Sequence, residues 1–506
     1  MIFDARDLRL PGRLEADLCV VGSGPGGATA AMVAAEAGLR VVVLEAGELV
    51  TPSMARQREE VMLPRLYWES GSRTTLDRRV HVHQGRGVGG SALHNLNLIK
   101  RIPDALLERW RAAGRLEHLG LPVWHALYEE LEALLEVKEI PADERSPHNL
   151  LLKAGAEALG WRSGPLSHNR TGCKRSGFCE LGCAYDGKNN PLKKMAPRIV
   201  AAGGTILTCV QAVRLRQEGG RARGVEAVVR APLGGAVLGR VEIVAPRVCL
   251  SASATGTAAL LLRSRVPDRS GRTGQGLHLH PGVFVAGEFE GLIEAQNGVP
   301  QSWECTEWLD LASEEGHGLW LIPSFAHPGG AATMMPGAGE EHFTMMERYP
   351  HLAVFSAMLH DRSEGRVAPE GDLGLTIRYR PGREDRRELA LGQWACARLL
   401  LAAGARRVLV PESPARSFET PEAIEVLRQG EPPEHFPGLT AVHPMSTVAM
   451  DDDPTRGPVD SRGKHHGLEG LWVADGSLFP TSVGVPPQLS IYAMGLHVGR
   501  HLVAAG

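Results

Sequence analysis

The chain has 506 residues and a net charge of -3, and its residues are 43% hydrophobic and 22% charged. This is the composition of an ordinary globular protein with material for two or three domains. The balance of charge argues against nucleic acid as a partner, and no apolar segment approaches the roughly 20 residues of a membrane span. The N-terminus lacks the pattern of a signal peptide, so we expect a cytoplasmic protein.

The first recognisable pattern lies in residues 17–46. The apolar residues 18–21 predict a buried strand, the alanine-rich residues 28–37 predict a helix, and residues 40–44 predict a second strand. Between the first strand and the helix, residues 22–27 read GSGPGG and fit the pattern G-x-G-x-x-G. A glycine-rich turn alone is weak evidence, but in this order of elements it predicts dinucleotide binding rather than a plain strand–helix–strand turn.

Four positions of this motif have separate physical tasks. Gly22 permits the tight turn, Gly24 lets a pyrophosphate approach the backbone, and Gly27 lets the helix pack closely on the strand. The free N–H groups at the start of the helix face the phosphates. Glu45, at the end of the second strand, is placed to accept hydrogen bonds from the adenosine ribose and to disfavour a 2′-phosphate.

Further along the chain, a second glycine-rich stretch occupies residues 83–95. Residues 104–137 then predict amphipathic helices, and residues 172–190 form a turn-rich loop with three cysteines. Over residues 205–254 the composition of buried strands returns. We therefore expect the chain to re-enter the dinucleotide-binding domain there, so that this domain is discontinuous.

The fold class that follows is α/β, a discontinuous Rossmann-like domain with a second, α+β substrate-binding domain. The last segment carries His443 and predicts a final strand and a helix near residues 488–504. The middle region contains Trp303, Trp308 and a methionine-rich piece at 334–346, which favours either an apolar substrate wall or ordinary core packing. The predicted boundaries are 1–101, 200–285 and 435–506 for the dinucleotide-binding domain, and 102–199 and 286–434 for the substrate-binding domain.

Four separated segments resemble the signatures of the glucose–methanol–choline (GMC) family of flavin oxidoreductases. They are the opening motif with Glu45, then GRGVGGSALHN at 85–95, then VCLSASATGTAALLL at 248–262, and finally HPMSTVAM, GPVD and GLWVADGSLFPTSVGVPPQLSIYAM within 443–494. The third segment is a degraded likeness of its signature. The resemblance implies an FAD-binding Rossmann-like fold and an oxidoreductase that acts on a CH–OH group.

Position by position, the resemblance also implies contacts with FAD. Ser91 and Asn95 would meet the flavin or its phosphates, and Val210 the adenine. Asp475 would meet the ribityl–pyrophosphate region, its alternative being a simple turn cap. The implied cofactor-binding set is Gly22, Ser23, Gly24, Gly27, Glu45, Ala46, Ser91, His94, Asn95, Val210, Asp475 and Gly476.

His94 matches the position at which choline oxidases of this family bond the flavin covalently through a histidine. Two alternatives follow, a covalent link through His94 or a histidine that lines the flavin site without a bond. A covalent link would raise the flavin potential and prevent loss of the cofactor.

By the same resemblance His443 is the catalytic base, the alternative being a structural histidine before Pro444. Oxidation of an alcohol removes a hydroxyl proton as a hydride moves to flavin N5, and a histidine with an unperturbed pKa of about 6.5 accepts a proton near neutral pH. The family's usual Asn or His partner is replaced by Pro486, which has no donor. Either His443 works alone, or a neighbour such as Gln488, Ser482 or a side chain of the substrate-binding domain substitutes.

Six of the eight cysteines fall into two groups. Three lie in strand-like runs, where we expect buried core positions: Cys19, Cys209 and Cys249. Three share the loop and could begin a zinc or iron–sulfur site, but a fourth ligand is missing locally: Cys173, Cys179 and Cys183. We expect loop packing or redox sensitivity rather than a metal. His280 is interpreted as structural.

The sequence therefore predicts an FAD-dependent oxidoreductase that takes a hydride from the CH–OH group of a small, apolar alcohol. O₂ or another carrier would reoxidise the flavin. Pro486 keeps two alternatives open. One is a non-redox enzyme on the same fold, such as a lyase or a photodecarboxylase. The other is a tailoring enzyme of natural products or a flavoprotein that holds FAD for a partner.

Overall fold

The computed structural model describes residues 1–6, 12–313, 315–335, 337–412 and 416–505. The strands of these residues are β1 (Ile2–Asp4), β2 (Arg13–Glu15), β3 (Leu18–Val21), β4 (Val41–Leu44), β5 (His81–Val82), β6 (Leu98–Ile99), β7 (Val137–Glu139), β8 (Ser163–Pro165), β9 (Ser167–Asn169), β10 (Thr205–Thr208), β11 (Val210–Glu218), β12 (Arg221–Arg230), β13 (Val237–Val244), β14 (Arg247–Leu250), β15 (Gln275–Leu277), β16 (Pro281–Glu288), β17 (Trp303–Cys305), β18 (Leu319–Ser324), β19 (Leu352–Leu359), β20 (Gly365–Glu370), β21 (Gly374–Arg378), β22 (Arg407–Val410), β23 (Arg416–Phe418), β24 (Thr440–Ala441) and β25 (Leu471–Val473). The α-helices are α1 (Pro25–Glu36), α2 (Glu59–Leu66), α3 (Asp104–Gly114), α4 (Leu121–Leu135), α5 (Pro147–Leu159), α6 (Pro191–Lys194), α7 (Ala196–Ala201), α8 (Ser253–Arg263), α9 (Pro328–Met334), α10 (Glu340–Glu347), α11 (Arg383–Ala402) and α12 (Gln488–Ala504).

A six-stranded parallel sheet forms around the opening motif, in the order β1-β10-β4-β3-β14-β25. Every residue of β3 and β4 is buried, which explains their unbroken apolar sequence. Helix α1 packs on β3, β4 and β14, and α12 packs on α1. The sheet thus joins strands from the start, the middle and the end of the chain, which confirms the expected Rossmann-like fold and its discontinuity.

A larger sheet of nine strands takes six of them from the segments predicted for substrate binding, whereas β5, β24 and most of β16 come from the segments predicted for the dinucleotide-binding domain. Its main path is β23-β22-β16-β19-β18-β17-β8; beside this path β24 pairs with β16, and β5 pairs with β24. Helix α11 covers one face, where Gly392 closely approaches Ala357 of β19 and Val283 of β16. The division into two domains at the boundaries given above stays a prediction.

Several local predictions are confirmed. Helix α12 spans residues 488–504, and residues 172–190 contain only a short 3-10 turn at Cys179–Leu181. Cys19 and Cys249 are 0% exposed and Cys209 is 2% exposed, as expected of core residues. Among the described residues, no helix is both long and apolar enough to span a bilayer.

Candidate active site

A cavity of about 1180 Å³ lies between the opening motif and the nine-stranded sheet. Ordinary small-molecule sites occupy roughly 300–1,000 Å³, so this volume exceeds what one small ligand needs. One end of the cavity is formed by the glycine turn and the carboxyl end of β4, and the other by the face of the nine-stranded sheet opposite α11. The cavity therefore has room for a dinucleotide and a second molecule.

Most of the residues that the sequence singled out meet in this cavity. Those that line it are Gly22, Ser23, Gly24, Glu45, Ala46, Ser91, His94, Asn95, Val210, Asp475, Gly476 and His443. Gly27 is the exception and does not line it. A Cβ at Gly27 would overlap the carbonyl oxygen of Gly22, so this glycine serves the close packing of helix on strand that the motif predicts.

The glycine turn leaves one position open for a ligand. Gly22 has a φ of +99°, a left-handed conformation that favours glycine. Gly24 has an ordinary φ of -66°, and a Cβ there would meet nothing nearer than the Cα of Gly90 at 4.0 Å. No side chain caps the N-terminus of α1, so its first N–H groups are available to a phosphate.

Glu45 organises the cradle around this turn. Its Oε2 accepts hydrogen bonds from the backbone N–H (3.2 Å) and hydroxyl (2.6 Å) of Ser23. Its Oε1 accepts from the N–H of Gly47 at 2.8 Å and of Gly87 at 3.0 Å. The carboxylate thus ties the glycine turn and β4 to the second glycine-rich stretch. The contact with ribose that the resemblance implies stays a prediction.

We expect Glu45→Gln to lower the free energy of unfolding by about 1–3 kcal/mol, because its amide group would face backbone N–H donors and leave at least one unpaired. Thermal denaturation of the apoprotein and titration with FAD measure the two effects, and we expect weaker FAD binding as well. Glu36→Gln is the control, since Glu36 makes an exposed ion pair with Arg198 worth at most about 1 kcal/mol. Equal stability of the two variants would contradict this role of Glu45.

Asp475 both lines the cavity and caps a turn, so the two interpretations of this residue coexist. Its Oδ1 accepts from the N–H of Ser477 at 2.9 Å, at the start of the 3-10 turn Gly476–Leu478. Its Oδ2 accepts from the hydroxyl of Thr257 at 2.6 Å. Burial raises the pKa of Asp475.

His94 lies in the cavity wall against Tyr67, with ring centroids 4.0 Å apart. Burial, and then the positive charge of Lys188, lowers the pKa of His94 well below its usual value, so the ring is neutral. Its Nε2 is buried and has no hydrogen-bond partner among the described residues. A neutral ring whose buried Nε2 has no partner among the described residues fits either alternative for the flavin linkage. Precipitation in acid separates them, since only a covalent flavin stays with the protein.

His443 contacts a second histidine, His280, whose position there had no local signal in the sequence. Strand β24 pairs antiparallel with β16, with Ala441 opposite Pro281, and this register brings His280 beside His443. Nδ1 of His280 lies 3.3 Å from Nδ1 of His443. His280 also lines the cavity, so its interpretation as merely structural is incomplete. No signal within either segment predicts the pairing, because the two histidines are 163 residues apart.

The hydrogen bonds around His280 determine where the protons lie. The N–H of Gly484 donates to Nε2 of His280 at 2.8 Å, so neutral His280 carries its proton on Nδ1 and donates to Nδ1 of His443. Neutral His443 then carries its own proton on Nε2. A carboxylate holds the backbone of this pair in place, because Asp361 accepts from the N–H groups of Leu279 (2.9 Å) and His280 (3.3 Å).

The residues considered as substitutes for the missing partner are already engaged. The hydroxyl of Ser482 bonds to Nδ1 of His360 at 2.8 Å. The amide of Gln488 accepts from Nδ2 of Asn95 at 2.5 Å and donates to the carbonyl of Leu98 at 3.0 Å. Both candidates are thus engaged elsewhere, whereas His280 lies within hydrogen-bond distance of His443. Burial lowers the pKa of His443 to about 3, so its ring is neutral at ordinary pH.

The far end of the cavity has a mostly apolar floor. Alternate residues of three neighbouring strands of the nine-stranded sheet form it, as expected when one face of a sheet is covered by a helix and the other is open. They are Gly282, Phe284, Ala286, Trp320, Ile322, Ser324, Leu352, Val354, Ser356 and Met358. The hydroxyls of Ser324 and Ser356 bond each other at 2.7 Å, so one of the two O–H groups donates within the pair.

The methionine-rich piece and the tryptophans differ in their positions. Met334, Met335 and Met345 line the cavity opposite the sheet. Trp303 and Trp308 do not line it: Trp303 lies against the guanidinium of Arg145 and Trp308 packs on other tryptophans. Of the two alternatives for this region, packing against the rest of the protein therefore holds for Trp303 and Trp308.

The cysteine loop is held by hydrogen bonds to its sulfurs. The N–H of Gly187 donates to Sγ of Cys183 at 3.1 Å and that of Arg175 to Sγ of Cys173 at 3.4 Å. Asn97 approaches Sγ of Cys179 at 3.9 Å. Within the described ranges, no group of three or more His, Cys, Asp or Glu side chains is arranged to hold a metal ion.

Comparison with known proteins identifies the family. Two family profiles described as GMC oxidoreductase match residues 63–282 and 361–495, and one described as NAD(P)-binding Rossmann-like domain matches residues 20–92. An uncharacterized GMC-type oxidoreductase of Mycobacterium tuberculosis is 35% identical over 500 residues, covering 98% of this chain and 77% of the relative. A long-chain-alcohol oxidase of Arabidopsis thaliana is 27% identical over 504 residues, covering 95% of this chain and 66% of that protein.

Solved structures share the fold. Pyridoxine 4-oxidase from Mesorbium loti superposes with a TM-score of 0.72 at 20% identity, covering 96% of this chain and 98% of the other. Formate oxidase of Aspergillus oryzae superposes with a TM-score of 0.69 at 17% identity, covering 98% and 99%. With the signatures in the cavity wall and a relative at 35% identity, the chain belongs to the GMC oxidoreductase family.

Proposed function

We propose that this protein is an FAD-dependent oxidoreductase that oxidises the CH–OH group of an apolar alcohol, with His443 acting on the substrate oxygen. The observation that carries the proposal is a single cavity. It is lined by the cradle that the glycine turn and Glu45 form, by the neutral side chain of His443 and by the apolar floor of the nine-stranded sheet. Membership of an oxidoreductase family supports the same class of reaction.

The residues of the cradle fit FAD. The open position at Gly24 and the uncapped start of α1 suit a pyrophosphate, and the segment that carries Ser91 and His94 lines the same cavity. Bound FAD would supply the hydride acceptor. The chain itself would hold the cofactor, orient the alcohol and handle its proton.

His443 as a general base requires the tautomer opposite to the one described above. Its Nδ1–H would donate to His280, and the N–H of Gly484 would lose its partner, at a cost of about 1–3 kcal/mol. A positioned base contributes about 10²- to 10⁴-fold in rate, which is about 2.7–5.5 kcal/mol. Except where the two ranges meet near about 3 kcal/mol, the gain exceeds the cost, so the base role is compatible with this hydrogen-bond network.

Anaerobic mixing of the purified flavoprotein with aliphatic, aryl and sterol-like alcohols tests the proposal. Bleaching of the flavin absorbance by one of these classes supports it. Cleavage or decarboxylation of a substrate without bleaching supports the non-redox alternative, which Pro486 in the cavity wall favours because it offers the substrate no donor. Failure of every alcohol to bleach a protein that binds FAD would contradict the proposed reaction.

For the substrate, we expect kcat/KM to rise by about fourfold per added methylene in a series of straight primary alcohols, because each buried methylene contributes about 0.8 kcal/mol. The rise should end when the alkyl chain of the alcohol covers the whole apolar floor of the cavity. Ala286→Phe, which shortens the floor, should lower kcat/KM for the long alcohols and leave the short ones unchanged. Leu238→Phe at an exposed position of β13 is the control. A flat series would contradict an apolar substrate.

A further inference from the structure

The cysteine loop ends at a buried lysine that the proposed chemistry does not use. Lys188 is 2% exposed. Its Nζ donates to the carbonyl oxygens of Leu93 at 2.9 Å, Asn95 at 2.6 Å and Cys179 at 2.7 Å. No ion pair of Lys188 with a carboxylate is found in the described part of the chain. The three N–H donors of the ammonium are thus used on main-chain carbonyls, and its charge is not neutralised by a contact.

The three carbonyls belong to two separate segments of the chain beside the cavity. Leu93 and Asn95 flank His94 in the second glycine-rich stretch, whereas Cys179 lies in the 3-10 turn of the cysteine loop next to Glu180. His94, Asn95 and Glu180 all line the cavity. Lys188 therefore fixes the backbone on both sides of His94 and ties it to the loop.

The charge of Lys188 acts on neighbouring groups within this wall. It contributes, after burial itself, to the lowered pKa of His94. Glu180 does not neutralise the charge by contact, because its carboxylate makes no ion pair among the described residues. Burial raises the pKa of Glu180 to about 7, although Lys188 opposes that rise. Burial also lowers the pKa of Lys188 itself. A neutral amine has only two N–H donors, so the three carbonyl acceptors of Nζ require the charged ammonium.

We propose that Lys188 is a positioning residue for the flavin, which holds the segment around His94 and favours the electron-rich reduced state of the cofactor by its buried positive charge. This inference rests on the proposed binding of FAD, but not on the identity of the substrate or on the role of His443. It also gives the cysteine loop a task, because the loop carries the lysine and one of its three acceptors.

The test compares Lys188→Met, which removes the charge and all three hydrogen bonds, with Lys188→Gln, which removes the charge and keeps amide donors. Lys174→Met is the matched control, since Lys174 is an exposed lysine of the same loop. The readouts are the dissociation constant for FAD and the midpoint potential of the bound flavin, measured by dye equilibration without substrate.

We expect both Lys188 variants to shift the ratio of reduced to oxidised flavin at least tenfold towards oxidised, a fall of about 30 mV for a two-electron couple. Lys188→Met should also weaken FAD binding at least tenfold, and Lys188→Gln by less. The control should change neither quantity. Unchanged potentials in both Lys188 variants, or an equal change in the control, would overturn the inference.

A variant that loses FAD altogether is still informative. If the apoprotein of Lys188→Met melts at the temperature of the parent apoprotein, loss of FAD supports the positioning role. If both Lys188 apoproteins melt well below the parent, the lysine is structural only and the inference fails. A parent protein that binds FAD but oxidises no alcohol would contradict the proposed function and leave this measurement intact.

Discussion

His443→Ala should reduce its flavin with alcohol about 10²- to 10⁴-fold more slowly than the parent, because the positioned proton acceptor is lost. Stopped-flow absorbance under anaerobic conditions measures this rate directly and separates it from reoxidation. The variant should still bind FAD, since His443 is not part of the cradle formed by the glycine turn and Glu45. His125→Ala is the control, because His125 is exposed, pairs with Asp104 and is not one of the residues that line the cavity.

His443→Gln distinguishes a base from a hydrogen-bond donor. A glutamine amide can donate to the substrate oxygen but cannot accept a proton near neutral pH. If His443 is the base, His443→Gln should be about as slow as His443→Ala. If His443→Gln recovers most of the parent rate, the histidine acts as a donor through its Nε2–H. This is the tautomer of His443 that the hydrogen bond from Gly484 to His280 favours. A parent-like rate in His443→Ala would remove the residue from the mechanism.

Substitutions at two neighbouring glycines should have opposite effects on folding and on cofactor binding. In Gly24→Ala the new methyl group meets no protein atom nearer than 4.0 Å, so the apoprotein should melt like the parent. The methyl group occupies the approach to the pyrophosphate, and overpacking of this kind costs about 1–3 kcal/mol. We therefore expect FAD binding to weaken about 10- to 100-fold.

In Gly26→Ala the new methyl group would overlap the carbonyl oxygen of Ala474, directly after β25. This backbone atom cannot move away without separating α1 from the six-stranded sheet. The free energy of unfolding should fall by about 3 kcal/mol or more, measured by denaturation of the apoprotein. Weak FAD binding by Gly24→Ala apoprotein of normal stability, beside an unstable Gly26→Ala, supports the two assignments. Equal melting of both variants would contradict them.

The parts of the fold that were predictable from sequence are those with local causes. The strands around the glycine turn, the helix at residues 488–504 and the irregular cysteine loop follow from apolar runs, alanine content and turn residues. Most of the cavity-lining set followed from the family resemblance, which carries long-range information that no single segment contains.

The parts that were not predictable depend on contacts between distant segments. His280 meets His443 only because β16 pairs with β24, and Lys188 reaches the carbonyls beside His94 across 95 and 93 residues of sequence. The orientation of Trp303 and Trp308 was not predictable either, because an aromatic residue in a substrate region can face either a ligand or the rest of the protein. Neither composition nor spacing determines which way such a side chain points.

The position of β25 has a consequence for how the protein is made. This edge strand of the six-stranded sheet begins at residue 471, and α12, which packs on α1, ends at residue 504. A ribosome that adds about 5–20 residues per second needs about 20–90 s to make the chain between β3 and β25, and the sheet begun by β3 and β4 cannot close before then. Until then the apolar surface of β3 and β4 lacks its final cover, so acquisition of the cofactor must follow the synthesis of β25 and α12, and termination before β25 should yield an aggregation-prone fragment rather than a weaker enzyme.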